Sequence, residues 1–193
     1  MFYEFYIFFK CQIYKNGMGK TKIGIDQSIN STSVCVIEEG KKPIYYIVVP
    51  KMTKKMQNAN HDRICYIAYD KIDSNLNHNI RCISEKISQI IANKLSNTKD
   101  IEVRMEDVAL MAKGRSIIDL SILNGYIRCE LDKLGVNYKT IPPTQWKKEL
   151  LGNGAANKDV IIYNWSKLDS DAYKQVKDVK CDDIADSYFI ANI

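Results

Sequence analysis

The chain has 193 residues, 46% apolar and 26% charged, which excludes a disordered chain and suits one globular domain with a real core. Its 28 Lys and Arg against 23 Asp and Glu give a net charge of +5, which permits a polyanionic partner without demanding one. No run of roughly 18 apolar residues occurs, so no membrane span is expected, and six cysteines without CxxC or zinc-finger spacing suit a reducing, intracellular compartment, either cytoplasm or a viral replication site.

The chain opens on "MFYEFYIFFKCQIYKNG", which is aromatic but broken by Glu4 and lacks a basic leader, so it does not read as a secretory signal. Residues 1–19 are expected to be an extension outside the core fold, with an added strand or interaction arm as the alternative. Residues 22–26 read as a strand ending on Asp26, and "TSVCVIE" (32–38) and "IYYIVV" (44–49) as two more, joined by short polar turns into an antiparallel meander. Residues 51–62 read as a loop and Arg63 to about Asp73 as a weak helix. Ile80, Ile83, Ile87, Ile90, Ile91 and Leu95 recur at helical spacing over 80–95. "IEVRME" (101–106) alternates as a fourth strand and ends on Glu106.

A loop, "ALMAKGRS", leads to a long helix from about Ile117 to Leu134, stopped by Gly135. "VNYKTI" is a fifth strand, and Pro142–Pro143 open a short helix carrying Trp146. A helix around 158–167 and a terminal helix opened by Asp182 complete the chain. The expected fold is α/β: a mixed five-stranded sheet, three antiparallel strands then two parallel ones, with helices on both faces.

Four acids stand out. Asp26 and Glu106 end strands that a crossover connection can bring side by side. Asp183 and Asp186 are three apart on one helix and share a face. Singly, each has a plain structural role: a turn residue, a surface acid, or a helix-cap acid such as Asp182. Together they would repel one another unless divalent cations lie between them. Oxygen-only ligands select Mg²⁺, with Mn²⁺ as a substitute, and two such ions about 4 Å apart can activate water and stabilise the leaving oxygen of a phosphodiester.

These blocks resemble the RuvC-type Holliday junction resolvases of the ribonuclease H-like superfamily. "IGIDQSINSTSVCVI" is similar to the family's first strand, acid and turn, and "VRMEDVALMAKGRSIIDLSILNGYI" to its second acid, loop and long helix. "IPPTQWKKELLGNGAANKDVI" is similar to its basic segment, and "DDIADSYFIA" to its terminal acid pair. The resemblance covers about residues 20–193, poorly over 50–100, and implies a single nuclease domain there. It implies a Mg²⁺-dependent endonuclease that nicks four-way DNA junctions in symmetric pairs, acting as a homodimer with two metal ions per active site. Asp26, Glu106, Asp183 and Asp186 would be the ligands. Lys158 would neutralise the scissile phosphate, Lys147 and Lys148 would lie near the DNA, and Lys113 and Arg115 would grip backbone phosphates.

Two departures stand out. Gln27–Ser28 follow Asp26 where the family carries Gly, and Ala109 stands near the place of an aromatic wedge in some bacterial members. Gly125 weakens an isolated helix by about 1 kcal/mol, which close packing against another helix, in this chain or a symmetry mate, would explain. The same acids would serve a nuclease acting on flaps or RNA–DNA hybrids. An actin-like ATPase would need a duplicated domain, and a non-catalytic junction binder would not need all four acids.

Overall fold

The computed structural model describes residues 19–98, 100–108, 115–179 and 181–193. Six strands form its sheet: β1 (Thr21–Asp26), β2 (Thr32–Glu38), β3 (Ile44–Val49), β4 (Ile64–Ala68), β5 (Ile101–Glu106) and β6 (Tyr138–Ile141). Their order across the sheet is β4-β3-β2-β1-β5-β6. The β1–β2 and β2–β3 pairs are antiparallel, as a meander requires. The β3–β4, β1–β5 and β5–β6 pairs are parallel. The described helices are α1 (Lys54–Ala59), α2 (Leu76–Leu95), α3 (Arg115–Lys133), α4 (Pro143–Leu151), α5 (Lys158–Leu168), α6 (Ser170–Val176) and α7 (Asp182–Asn192). None of them is long and apolar enough to cross a membrane.

The pleat sorts the core into two layers. Ile23 and Ile25 of β1, Val34 and Val36 of β2, and Val103 and Met105 of β5 face α2 and α3. There they meet Ile80, Ile83, Ile87 and Ile91 of α2, and Leu123, Ile127 and Leu131 of α3. The alternate residues face the other way. On that side Cys35, Tyr45 and Ile47 pack with Trp146, Trp165, Ile184, Phe189 and Ile190. Asp169 ties this layer together: it caps α6 through Ala172 N, accepts a 2.9 Å bond from the Tyr45 hydroxyl, and pairs with Arg63.

The sheet has six strands rather than five. The segment read as a weak helix from Arg63 contains β4, and the expected loop at 51–62 contains α1, capped by the Thr53 side chain. "ICYIA" is a short apolar run, and such runs suit a strand or a helix until a neighbour decides. Here β3 supplies the edge, pairing Tyr45 through Val49 with Ile64 through Ala68. The polar stretch after Asp169 also carries a helix, α6. Gly135 does end α3, in a left-handed conformation (φ 66°), with Val136 N bonded back to Leu131 O. Residues 1–18 lie outside the described residues.

Candidate active site

The parallel register sets Ile25 beside Met105, so the next residue of each strand, Asp26 and Glu106, sits at the same end of the sheet. Both belong to the face covered by α7, because Ile25 and Met105 point to the other layer. A buried side-chain amide ties the two ends: Gln27 Nε2 donates to the Glu106 carbonyl at 3.0 Å.

Helix α7 lies across β1 and β2. It can do so because position 24 is glycine. A Cβ there would stand 2.1 Å from the Ser187 carbonyl oxygen and 2.4 Å from the Ala191 nitrogen, both backbone atoms. The hydroxyl of the same Ser187 meets that of Ser33 at 2.9 Å in a buried contact. The seat fixes the helix N-terminus over the end of β1. Asp182 and Asp183 form its first turn, where the helix dipole favours negative charge. Asp182 is not the cap residue expected from the sequence: Cys181 holds that place, without a side-chain cap bond.

The acids act on one another electrostatically. Burial first, then Glu106, Asp186, Asp183 and Asp182, hold the Asp26 carboxyl well above the usual carboxylate range. Burial raises Glu106, against the opposing pull of the Trp146 N–H and the Lys147 charge. Asp186 is pushed up to about 7, by burial first and then Glu106, while Lys147 opposes. Asp186 Oδ1 is buried with no hydrogen-bond partner. A buried carboxylate oxygen without a partner is expensive, and a cation beside it would remove the cost.

Among the described residues no three of these side chains are close enough to grip one ion as they stand. The neighbouring acids raise the proton affinity of Asp26 and Asp186. An all-oxygen donor set with an orphaned buried carboxylate oxygen fits a hard divalent cation.

The lysines divide. Lys158 opens α5 and forms an ion pair with buried Asp182, which raises its affinity for the proton. Nothing in their spacing along the chain pairs these two. Lys147 is half-buried, its Nζ 5.3 Å from the centre of the Trp146 ring, and its charge reaches Glu106 and Asp186. Lys148 is exposed on the same helix. Lys113 and Ala109 lie outside the described residues, as does the side chain of Arg115 at the start of α3. Sequence reasoning passed over Gly24 and Trp146. The first carried a signal, since glycine inside a strand often marks a close backbone approach.

The architecture is that of the ribonuclease H-like fold, with its mixed sheet between two helical layers. More particularly, it is the fold of Thermus thermophilus RuvC, matched with a TM-score of 0.57 at 16% identity over 89% of this chain and 90% of that one. T. thermophilus RuvC in complex with Holliday junction substrate matches with a TM-score of 0.59 at 15% identity, over 89% and 90%. The yeast mitochondrial Holliday junction resolvase Ydc2 aligns at 15% identity over 93% and 82%, with a TM-score of 0.45. No family model and no curated protein matches the sequence.

Proposed function

We propose that the chain is a divalent-metal-dependent endonuclease that resolves four-way DNA junctions by paired symmetric nicks. The observation that carries this is the meeting of Asp26, Glu106, Asp183 and Asp186, from β1, β5 and α7, near enough for the other three to raise Asp26. The fold shared with a RuvC bound to a Holliday junction supports the choice of substrate.

In this reading the four carboxylates would hold two Mg²⁺ ions, with Mn²⁺ as a substitute. Bound there, the metal supplies an activated water and charge neutralisation at the leaving oxygen. Water adds to phosphorus and one P–O bond breaks. Lys158, anchored by Asp182, presents its ammonium beside the acids and offsets negative charge that grows on the phosphate. Lys147 and Lys148 on α4, with Lys113 and Arg115, take backbone phosphates, so binding weakens as salt rises.

Twofold substrates suit a twofold enzyme, and α3 offers a face for one. Ile118 and Tyr126 are 59% and 40% exposed, and Gly125 beside them would meet nothing within 4 Å if given a Cβ. Among the described residues nothing packs closely on Gly125, which is in keeping with a contact from a symmetry mate. Ile118→Glu is expected to turn a dimer into a monomer by sedimentation equilibrium and to uncouple the paired nicks.

The deciding assay incubates the protein with a synthetic four-way junction, a linear duplex and an RNA–DNA hybrid, each with Mg²⁺ or chelator. Symmetric nicks in the junction alone, only with metal, are expected. Equal cutting of the hybrid would move the protein to another nuclease of this fold. No cutting of any of the three would remove the enzyme reading.

Metal removal carries its own prediction. Asp186 has an ordinary pKa of 3.8 and stands at about 7 in the folded chain. Below 3.8 folded and unfolded chains both hold the proton. Between 3.8 and about 7 only the unfolded chain releases it, so stability falls as pH rises through that window. In chelator the melting temperature is expected to be several degrees higher at pH 5 than at pH 8. Mg²⁺ should restore most of the difference at pH 8 and add little at pH 5. A melting temperature in chelator that rises with pH would contradict the arrangement.

A further inference from the structure

Glu106 is held by more than its strand. Trp146 is fully buried, and its indole N–H donates to Glu106 Oε1 at 3.0 Å. The same ring stacks on Phe189, with centroids 6.0 Å apart and planes within 9°. Phe189 lies three residues beyond Asp186 on α7 and so near the same side of that helix. One indole therefore joins the carboxylate at the end of β5 to the helix that carries Asp183 and Asp186. Its own helix is fixed at both ends, by Pro143 at the first position and by Gly152 in a left-handed C-cap.

We propose that Trp146 is a positioning residue for Glu106: its N–H takes one carboxylate oxygen and leaves the other to face the cation. This rests on the metal-nuclease reading above. A glutamate has three freely rotating side-chain bonds, and a carboxylate with both oxygens free can grip an ion with one oxygen, with two, or turn away. A fixed donor on Oε1 removes two of those choices. The donor is neutral, so it orients the carboxylate without cancelling the charge that attracts the ion, as an Arg or Lys in its place would. Outer partners of this kind orient metal ligands generally. The stack on Phe189 makes the donor itself rigid, so the acid on the sheet and the acids on α7 are set by one ring.

Trp146→Phe keeps the stack and removes only the donor. Its Mn²⁺ affinity, measured by calorimetry without DNA, is expected to weaken by about tenfold or more. The Mn²⁺ needed for half-maximal cleavage should rise by the same factor. In a Glu106→Ala background the substitution should have no further effect on Mn²⁺ affinity. A purely structural role would lower the melting temperature and leave Mn²⁺ affinity unchanged, which would overturn the proposal.

If Trp146→Phe does not fold, the native indole signals decide. The protein has two tryptophans, and Trp165 donates instead to the Tyr45 hydroxyl at 3.1 Å. With Trp165→Phe used for assignment, Mg²⁺ should shift the Trp146 N–H resonance and leave that of Trp165 in place. A Trp146 signal indifferent to Mg²⁺ would overturn the proposal. Mn²⁺ binding that depends on Trp146 in a protein that cuts no junction would overturn the junction reading alone.

Discussion

Asp26→Asn is expected to lower junction cleavage by about a thousandfold or more, because several kcal/mol of transition-state stabilisation leave with one metal ligand and each 1.36 kcal/mol is tenfold. Junction binding should persist, since phosphate contacts from the lysines supply most of it. The substitution keeps the shape of a side chain that is 7% exposed and removes its charge. That charge faces Glu106, Asp186, Asp183 and Asp182. Loss of cleavage should therefore come with a gain in stability: without metal at pH 8, the variant should melt above the parent chain. A structural aspartate would give the opposite pair of results. Cleavage assays, junction binding in chelator and melting curves separate the two, and unchanged cleavage would take Asp26 out of the site.

The second large effect comes from a residue that performs no chemistry. Gly24→Ala would place a methyl group 2.1 Å from one backbone atom of α7 and 2.4 Å from another. Backbone cannot rotate away as a side chain can, so the helix must lift or slide. A cost of about 3 kcal/mol or more is expected, at the upper end for overpacking, and at this chain length that lowers the melting temperature by roughly 6–12 °C. A displacement of about 1 Å in catalytic groups costs on the order of a hundredfold in rate, so cleavage should fall even at temperatures where the variant stays folded. Melting and cleavage that both match the parent would mean that α7 is not seated on β1 as described.

Much of this arrangement is legible in the sequence. Asp26 and Glu106 close alternating strands, and the parallel pairing that joins them follows from the helical crossover between their segments. Asp183 and Asp186 share a helix face by spacing alone. What escaped the sequence depends on neighbours that spacing does not reveal. "ICYIA" became β4 because β3 offered an open edge, and nothing local to the segment told strand from helix. Asp182 read as a cap because acids usually stand there; Lys158, 24 positions earlier, made it an ionic anchor instead. Trp146 read only as a residue of a short helix. A buried indole needs an acceptor, but the sequence does not say that the acceptor is Glu106. Gly125 read as a packing glycine, with its partner in this chain or a symmetry mate, and among the described residues nothing lies within 4 Å of a Cβ there.

The seat of α7 on β1 also bears on when the proposed centre can form. The helix lies on the first strand of the sheet, yet the ribosome makes it last among the described elements. A nascent chain, or any fragment stopped before Cys181, carries Asp26 and Glu106 but neither Asp183 nor Asp186. Half a set of carboxylates cannot assemble the proposed centre. In the proposed reading, incomplete copies that bind nucleic acid through their lysines would leave it uncut.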